Sequence, residues 1–371
     1  MRLTALVLIL LALAACESSV TPTTDTSGVS VSQRMAATPD PGFARAVEPR
    51  EFVFPADHGA HPDYATEWWY FTGNLRADNG DRYGYQLTLF RVGLAPGKAL
   101  GDSDWRAHQI YMGHVAISDL QSRIHRSAER FSRAAAGLAG AQTGPLRVWL
   151  GPWSISGSPD TVFPLRLRAD SPEFALDLTV QQGGKAPVLQ GDRGLSRKGA
   201  EAGNASYYYS YTRLPTQGNL HIGDRQIGVS GDSWFDREWS SSALAPDQAG
   251  WDWFALQLDD GRELMYYQMR GHDGRPQRFS KGVLVAQDGS YRHLSADQVA
   301  LTSTRTWQAP DGVTYPVDWR LEVPQFGLDL RVETAIDAQE MRHTVRYWEG
   351  AVTVSGSHAG RGYLELSGYA R

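Results

Sequence analysis

Phe174, Leu176, Leu178 and Val180 alternate with Ala175, Asp177 and Thr179, and the same period of two returns in Val317, Trp319, Leu321 and Val323 and in Leu328, Leu330 and Val332. A period of two puts every second side chain on one face, which is the pattern of strands with one side on a core and the other in water. Turn signals punctuate these runs: Asp78-Asn79-Gly80, Asp259-Asp260-Gly261, Asp273-Gly274 and Asp288-Gly289 favour hairpins. The chain holds 12 Trp, 16 Tyr and 12 Phe alongside 38 Gly, a pairing of flat side chains with turn formers that favours strands over helices. Two short helices are predicted, over Ser127–Gly137 and Ser295–Leu301. The expectation is an all-β protein of antiparallel sheets closed into barrels or paired into sandwiches.

The ends of the chain carry different signals. Arg2 precedes an apolar run from Ala5 to Ala15, about half the length needed to span a bilayer, so residues 1–15 read as a signal peptide and not an anchor helix. The run closes in Leu13-Ala14-Ala15-Cys16, a bacterial lipobox pattern, and Cys16 is the single cysteine. With one cysteine there is no internal disulfide and no thiolate zinc cluster. A lipidated Cys16 is stably anchored by two or three acyl chains at about 0.8 kcal/mol per methylene. Glu17, in place of an aspartate retention signal, predicts the periplasmic face of the outer membrane. Residues 16–48 are rich in Ser, Thr and Pro and read as a tether reaching roughly 30 Å. The remainder divides into 49–243 and 244–371. A formal net charge of −5 without a basic stripe argues against nucleic acid as a partner.

A weak repeat relates the two parts. Trp68-Trp69-Tyr70-Phe71 and Tyr85-Gln86 are echoed by Trp251-Asp252-Trp253-Phe254 and Tyr267-Gln268, with spacings of 17 and 16 from the first Trp to the Tyr-Gln pair. The richest cluster for chemistry is Asp232-Ser233-Trp234-Phe235-Asp236-Arg237-Glu238-Trp239. On a strand, Asp232, Trp234, Asp236 and Glu238 share one face while Phe235, Arg237 and Trp239 take the other. A carboxyl pressed against aromatic rings is desolvated, which raises its pKa and suits it to general-acid work near neutrality. The alternative is that Asp236 or Glu238 pairs with an arginine. Glu67-Trp68-Trp69-Tyr70 and Tyr207-Tyr208-Tyr209-Ser210-Tyr211 offer either core packing or a ligand platform. His58 and His61, beside Pro55 and Pro62, lack the helical spacing of a zinc site, and no metal is expected. Serine-hydrolase elbows, phosphate loops and dinucleotide-binding turns are missing.

Taken together, Asp63-Tyr64-Ala65-Thr66-Glu67-Trp68-Trp69-Tyr70, Gln190-Gly191-Asp192-Arg193-Gly194, Asn204-Ala205-Ser206-Tyr207-Tyr208-Tyr209-Ser210 and Trp234-Phe235-Asp236-Arg237-Glu238-Trp239 resemble the secreted AttH-type, carotenoid 1,2-hydratase-like proteins from about Phe52 onward. The resemblance implies two tandem lipocalin-like barrels and, among the family's activities, cofactor-free addition of water to a polyene double bond. Asp236 matches an acidic residue of the hydratases and is the implied general acid, with Glu238 and Tyr267 as further catalytic candidates. Glu67, Trp68, Trp69, Tyr70, Trp234, Trp239, Trp251, Trp253 and Gln268 are the candidate ligand-binding residues. Two positions depart from the hydratases: Gln268 stands where they carry an aspartate, and Arg237 where they carry a histidine. On that ground the first expectation is a binding or delivery protein. It would hold an extended apolar molecule (an acyl chain, isoprenoid or polyene) beside a membrane transport system. A hydratase using Asp236 is the alternative.

Overall fold

The computed structural model describes residues 29–30, 42–97, 107–158, 161–240 and 244–370. Cys16, the signal peptide and most of the predicted tether lie outside the described residues. No helix among the described residues is long and apolar enough to cross a membrane. The last part of the stretch read as tether is packed: Phe43 and Ala46 are buried, and the Ala44 amide donates to the Asp63 carbonyl.

The fold is all-β. Two consecutive sheets are formed, an antiparallel one between Thr66 and Ser240 and a second between Gln248 and Ser367 that is antiparallel except for the two-residue strand Val29–Ser30, which pairs parallel with Val345–Arg346. One curls into a nearly closed barrel and the other into a half-barrel. The edge strand Ile124–Arg133 curls back toward the other end of the first sheet, where Arg130 lies over the ring of Trp153. The alternation is realised residue by residue, with Phe174, Leu176, Leu178 and Val180 buried in one core and Val317, Trp319, Leu321 and Val323 in the other. Both predicted helices are corrected. Residues Ile124–Arg133 form a strand paired along its length with Gln109–Asp119, because sheet pairing overrides the helix preference of Ala, Glu and Arg. Of Ser295–Leu301 only the short 3-10 turn Ala296–Gln298 is helical, since Ala300 begins the next strand.

The long strand Arg225–Ser240 lies between Ala205–Ile222 and Thr66–Ala77, joining the end of the first sheet's sequence to its beginning. This non-local pairing positions the site. It aligns Ser210, Asp236 and Tyr70 in one cross-strand row, which continues through Thr88 and His114 to Glu129. In the second sheet a shorter row runs Tyr267, Trp253, Glu365, Glu349. The two rows lie on faces turned away from the sheets' own cores, and a third apolar cluster, including Tyr70, Tyr208, Trp234, Trp253 and Tyr267, fills the seam between them.

Polar contacts hold that seam. Asn74 Nδ2 donates to the Gly362 carbonyl at 3.1 Å and Gln257 Nε2 to the Thr212 carbonyl at 2.8 Å. Gly84 lies in the seam, where any side chain would strike the Tyr363 hydroxyl and Ala351. The carboxylate of Glu263, fully buried, takes Lys185 Nζ at 2.6 Å and Arg213 Nε at 2.7 Å from the other sheet. Glu263→Ala strands those two cations, so it is expected to weaken the seam by about 2–5 kcal/mol. Denaturant unfolding should then separate into two transitions, and an unchanged single transition would contradict this role for Glu263.

Candidate active site

Strand parity decides which aromatic and acidic residues can meet a ligand. Trp234, Asp236 and Glu238 point to the seam, and Phe235, Arg237 and Trp239 point into the first barrel. On the neighbouring strand Trp68 and Tyr70 point to the seam, while Glu67, Trp69 and Phe71 point inward. The second sheet answers with Trp251, Trp253, Tyr267 and Met269. Between them lies a cavity of about 80 Å³. Its walls are mostly aromatic: Trp68, Tyr70, Phe90, Tyr208, Trp251, Trp253, Tyr267 and Tyr347. The Tyr70 and Trp253 rings meet edge to face at 5.2 Å, so the repeated Trp-x-Tyr and Trp-x-Trp strings face each other across the seam.

The 17- against 16-residue spacing of that repeat has a structural consequence. One residue of difference flips the side chain to the opposite face of a strand. Tyr267 therefore lines the cavity, whereas Tyr85 is buried in the first barrel with its hydroxyl 2.5 Å from Ser233 Oγ.

Asp236 is 4% exposed and receives three neutral donors. Ser210 Oγ donates to Oδ1 at 2.5 Å, Trp234 Nε1 to Oδ1 at 2.7 Å, and the Tyr208 hydroxyl to Oδ2 at 2.5 Å. Burial pushes its pKa up to about 7, against the lowering effect of those hydrogen bonds, and nearby Glu238 adds to the rise. With both lone pairs of Oδ1 engaged, Oδ2 is the oxygen that holds the proton. Among the described residues no arginine pairs with Asp236, so the salt-bridge alternative does not apply to it. It applies to Glu238, whose partner is a lysine: Lys198 Nζ lies 2.7 Å from Oε1.

Two further carboxyls belong here that sequence reasoning missed. Glu365 lines the cavity, accepts Trp251 Nε1 at 2.7 Å, and is pushed up to about 7 by burial and by the charges of Asp236 and Glu238. Glu349, just behind the wall, accepts the Tyr70 hydroxyl at 2.6 Å, and burial with Glu365 beside it holds its pKa well above the usual carboxylate range. Four carboxyls share this small volume with the ammonium of Lys198, so they cannot all ionise in aromatic surroundings. A signal was present in each case, an acid between buried apolar neighbours: Leu364-Glu365-Leu366 and Trp348-Glu349-Gly350. Nothing local connected those strands to Asp236.

Five candidates are corrected. Trp69, Trp239 and Glu67 do not reach the cavity, because their strand positions turn them into the first barrel. There Glu67, fully buried, is paired with Arg91 and Arg237, and Arg237 lies over the Trp69 ring at 3.9 Å. Gln268 turns into the second sheet, where its Nε2 donates to Asp252 Oδ2 at 3.2 Å. Trp234 does not touch the open space and instead holds Asp236. His61 stacks on Trp239 at 3.7 Å with Nε2 3.0 Å from Asp57, and His58 Nδ1 meets the Tyr209 hydroxyl at 2.5 Å, so both histidines pack the segment before Thr66–Ala77 against the first barrel.

The pattern of the AttH-like family matches residues 45–369. The chain belongs to that family. An AttH protein of known structure from Nitrosomonas europaea is 37% identical, covering 88% of this chain and 100% of that one, with a TM-score of 0.79. The fold is also that of kievitone hydratase from Nectria haematococca, at 16% identity, 88% and 98% coverage and a TM-score of 0.65. In sequence, the kievitone hydratase of Fusarium solani subsp. phaseoli is 24% identical over 160 residues. That match covers 41% of this chain and spans 45% of the length of the relative.

Proposed function

We propose that the protein is a cofactor-free hydratase that adds water to a carbon–carbon double bond of an apolar, isoprenoid or polyene substrate held between the two sheets. The observation that carries this reading is Asp236, a carboxyl raised to about 7 by burial and held by three neutral donors at the wall of an aromatic cavity. Such a group is protonated in a useful fraction near neutrality and can deliver a proton. Transfer of the Oδ2 proton to the less substituted carbon leaves a carbocation, which the faces of Trp68, Trp251 and Trp253 and the carboxylate of Glu238 can stabilise. Water then closes the new carbon–oxygen bond. The hydratase relatives support the same reaction class.

The departures at Arg237 and Gln268 favoured a carrier over an enzyme, but neither side chain faces the cavity. Their loss of titratable chemistry costs the site nothing, and Glu365 supplies a second carboxyl near neutrality. The carrier reading retains the Cys16 lipobox and the same aromatic cavity as its support, and turnover separates the two. Purified protein incubated with acyclic polyenes and isoprenoid alkenes should yield a product heavier by one water. Tight retention of an unchanged ligand would favour delivery.

A further inference from the structure

The proposed hydration needs a base as well as an acid, because the water that attacks the carbocation must lose a proton. Within the acid cluster Glu238 is held by Lys198 and Glu365 by Trp251, and a separate path for that proton leaves from the opposite end of the Asp236 row. His114 is fully buried and lies two strands beyond Tyr70, in line with Asp236, Tyr70 and Thr88, and its other cross-strand neighbour is Glu129. Its Nε2 is 3.0 Å from Glu129 Oε1, and its Nδ1 is 2.8 Å from the hydroxyl of Tyr347, which lines the cavity.

A carboxylate only accepts, so the neutral imidazole must carry its proton on Nε2, toward Glu129. Nδ1 is then an acceptor aimed at the Tyr347 hydroxyl. Glu129 is itself fixed by Thr344, whose hydroxyl donates at 2.8 Å, and its side chain is 15% exposed, so the row ends at solvent. Around the imidazole stand the rings of Tyr347, stacked at 5.6 Å, Phe90, edge-on at 5.6 Å, and His343 at 5.5 Å. Carboxylate, imidazole and phenol thus stand in sequence from the surface to the cavity wall.

We infer that Glu129, His114 and Tyr347 form the proton relay that deprotonates the attacking water, an assignment that rests on the hydration reading above. As the water oxygen bonds to the carbocation, one of its protons passes to the Tyr347 oxygen while the phenol's own proton moves to His114 Nδ1. The O–H electron pair stays on the product hydroxyl. The imidazolium so formed is stabilised by Glu129, keeps its Nε2 proton, and returns the Nδ1 proton through Tyr347 and cavity water to Asp236, which restores both the acid and the Nε2-protonated ring. Nothing is oxidised or reduced, and the sum is one water added. Tyr347 is the group that touches the reacting water, and His114 and Glu129 act through it.

The test uses the full chain. His114→Ala is expected to lower kcat about a hundredfold, the lower range for a positioned base, with KM little changed. Added imidazole, entering the space left by the ring, should restore part of the rate, which a merely structural loss would not show. Tyr347→Phe should lose comparable activity that imidazole leaves unrestored. A His114→Ala variant with wild-type kcat, or a loss that imidazole does not relieve, overturns the relay. If the wild-type protein turns over no alkene, the hydration reading fails by itself, and nitrogen NMR of His114 judges the relay independently. A neutral ring protonated on Nε2, with an Nδ1 resonance that moves in Tyr347→Phe, supports it, and a ring protonated on Nδ1 overturns it.

Discussion

Asp236→Asn is expected to lower hydration by roughly 10²- to 10⁴-fold, the range a positioned general acid contributes, while leaving the fold intact. The amide fits the same nest: its oxygen can still accept from Ser210 and Trp234, and its nitrogen can donate to the Tyr208 oxygen. What it cannot do is give up a proton. The wild-type rate should fall as pH rises through about 7, where Asp236 ionises. Stability should move the other way in the variant. The folded-state pKa of Asp236 is raised from 3.8 to about 7, so within that window the native state binds more protons than the unfolded chain and the wild type loses stability as pH rises. The asparagine has no charge to bury. Its stability relative to wild type should therefore grow from about pH 4 to pH 7, measured by denaturant unfolding at several pH values. An inactive variant that is equally destabilised at every pH would point to broken packing and not to a lost acid.

Glu67→Gln, on the opposite face of the neighbouring strand, should do the reverse. Glu67, Arg91 and Arg237 are all fully buried, with the carboxylate between the two guanidinium groups. Removing the charge leaves both cations uncompensated in the barrel end, a change that typically costs about 3–5 kcal/mol. The two arginines and His61 outweigh the burial penalty and hold the Glu67 pKa well below the usual carboxylate range. A lowered pKa contributes stability above the unfolded value of 4.5 that is lost as pH falls toward the folded one, so the wild type should weaken on acidification and Glu67→Gln should lack that component. At a temperature where the variant stays folded, its hydration rate should match wild type. A large rate loss with normal stability would mean that the first barrel's interior takes part in the chemistry.

The opposite fates of Glu67 and Asp236 show how far a sequence can be read here. Alternation alone placed Trp234, Asp236 and Glu238 on one face and Arg237 and Trp239 on the other, because side-chain direction along a strand is a local property. The same rule argued against Trp69, Trp239 and Gln268 as ligand contacts, once the seam and not the barrel interior was known to hold the cavity. Which face is used depends on how two sheets pack, and no local pattern encodes that. Glu365, Glu349, Lys198 and Tyr347 reach Asp236 only through pairings between strands far apart in sequence, or across the seam. The strand Ile124–Arg133 differs from its helical expectation for a related reason. Its Ser-Ala-Glu-Arg stretch has helical preference, but Glu129 and its neighbours are committed to pairing with Gln109–Asp119.

The most direct measurement of the central claim is turnover in water labelled with deuterium and oxygen-18. A hydration driven from Asp236 predicts one oxygen-18 in the product hydroxyl and one deuterium on the adjacent carbon, with labelled product falling by the same roughly 10²- to 10⁴-fold in incubations of Asp236→Asn. Recovery of the alkene unlabelled and unchanged from the cavity, in wild type and variant alike, would contradict it.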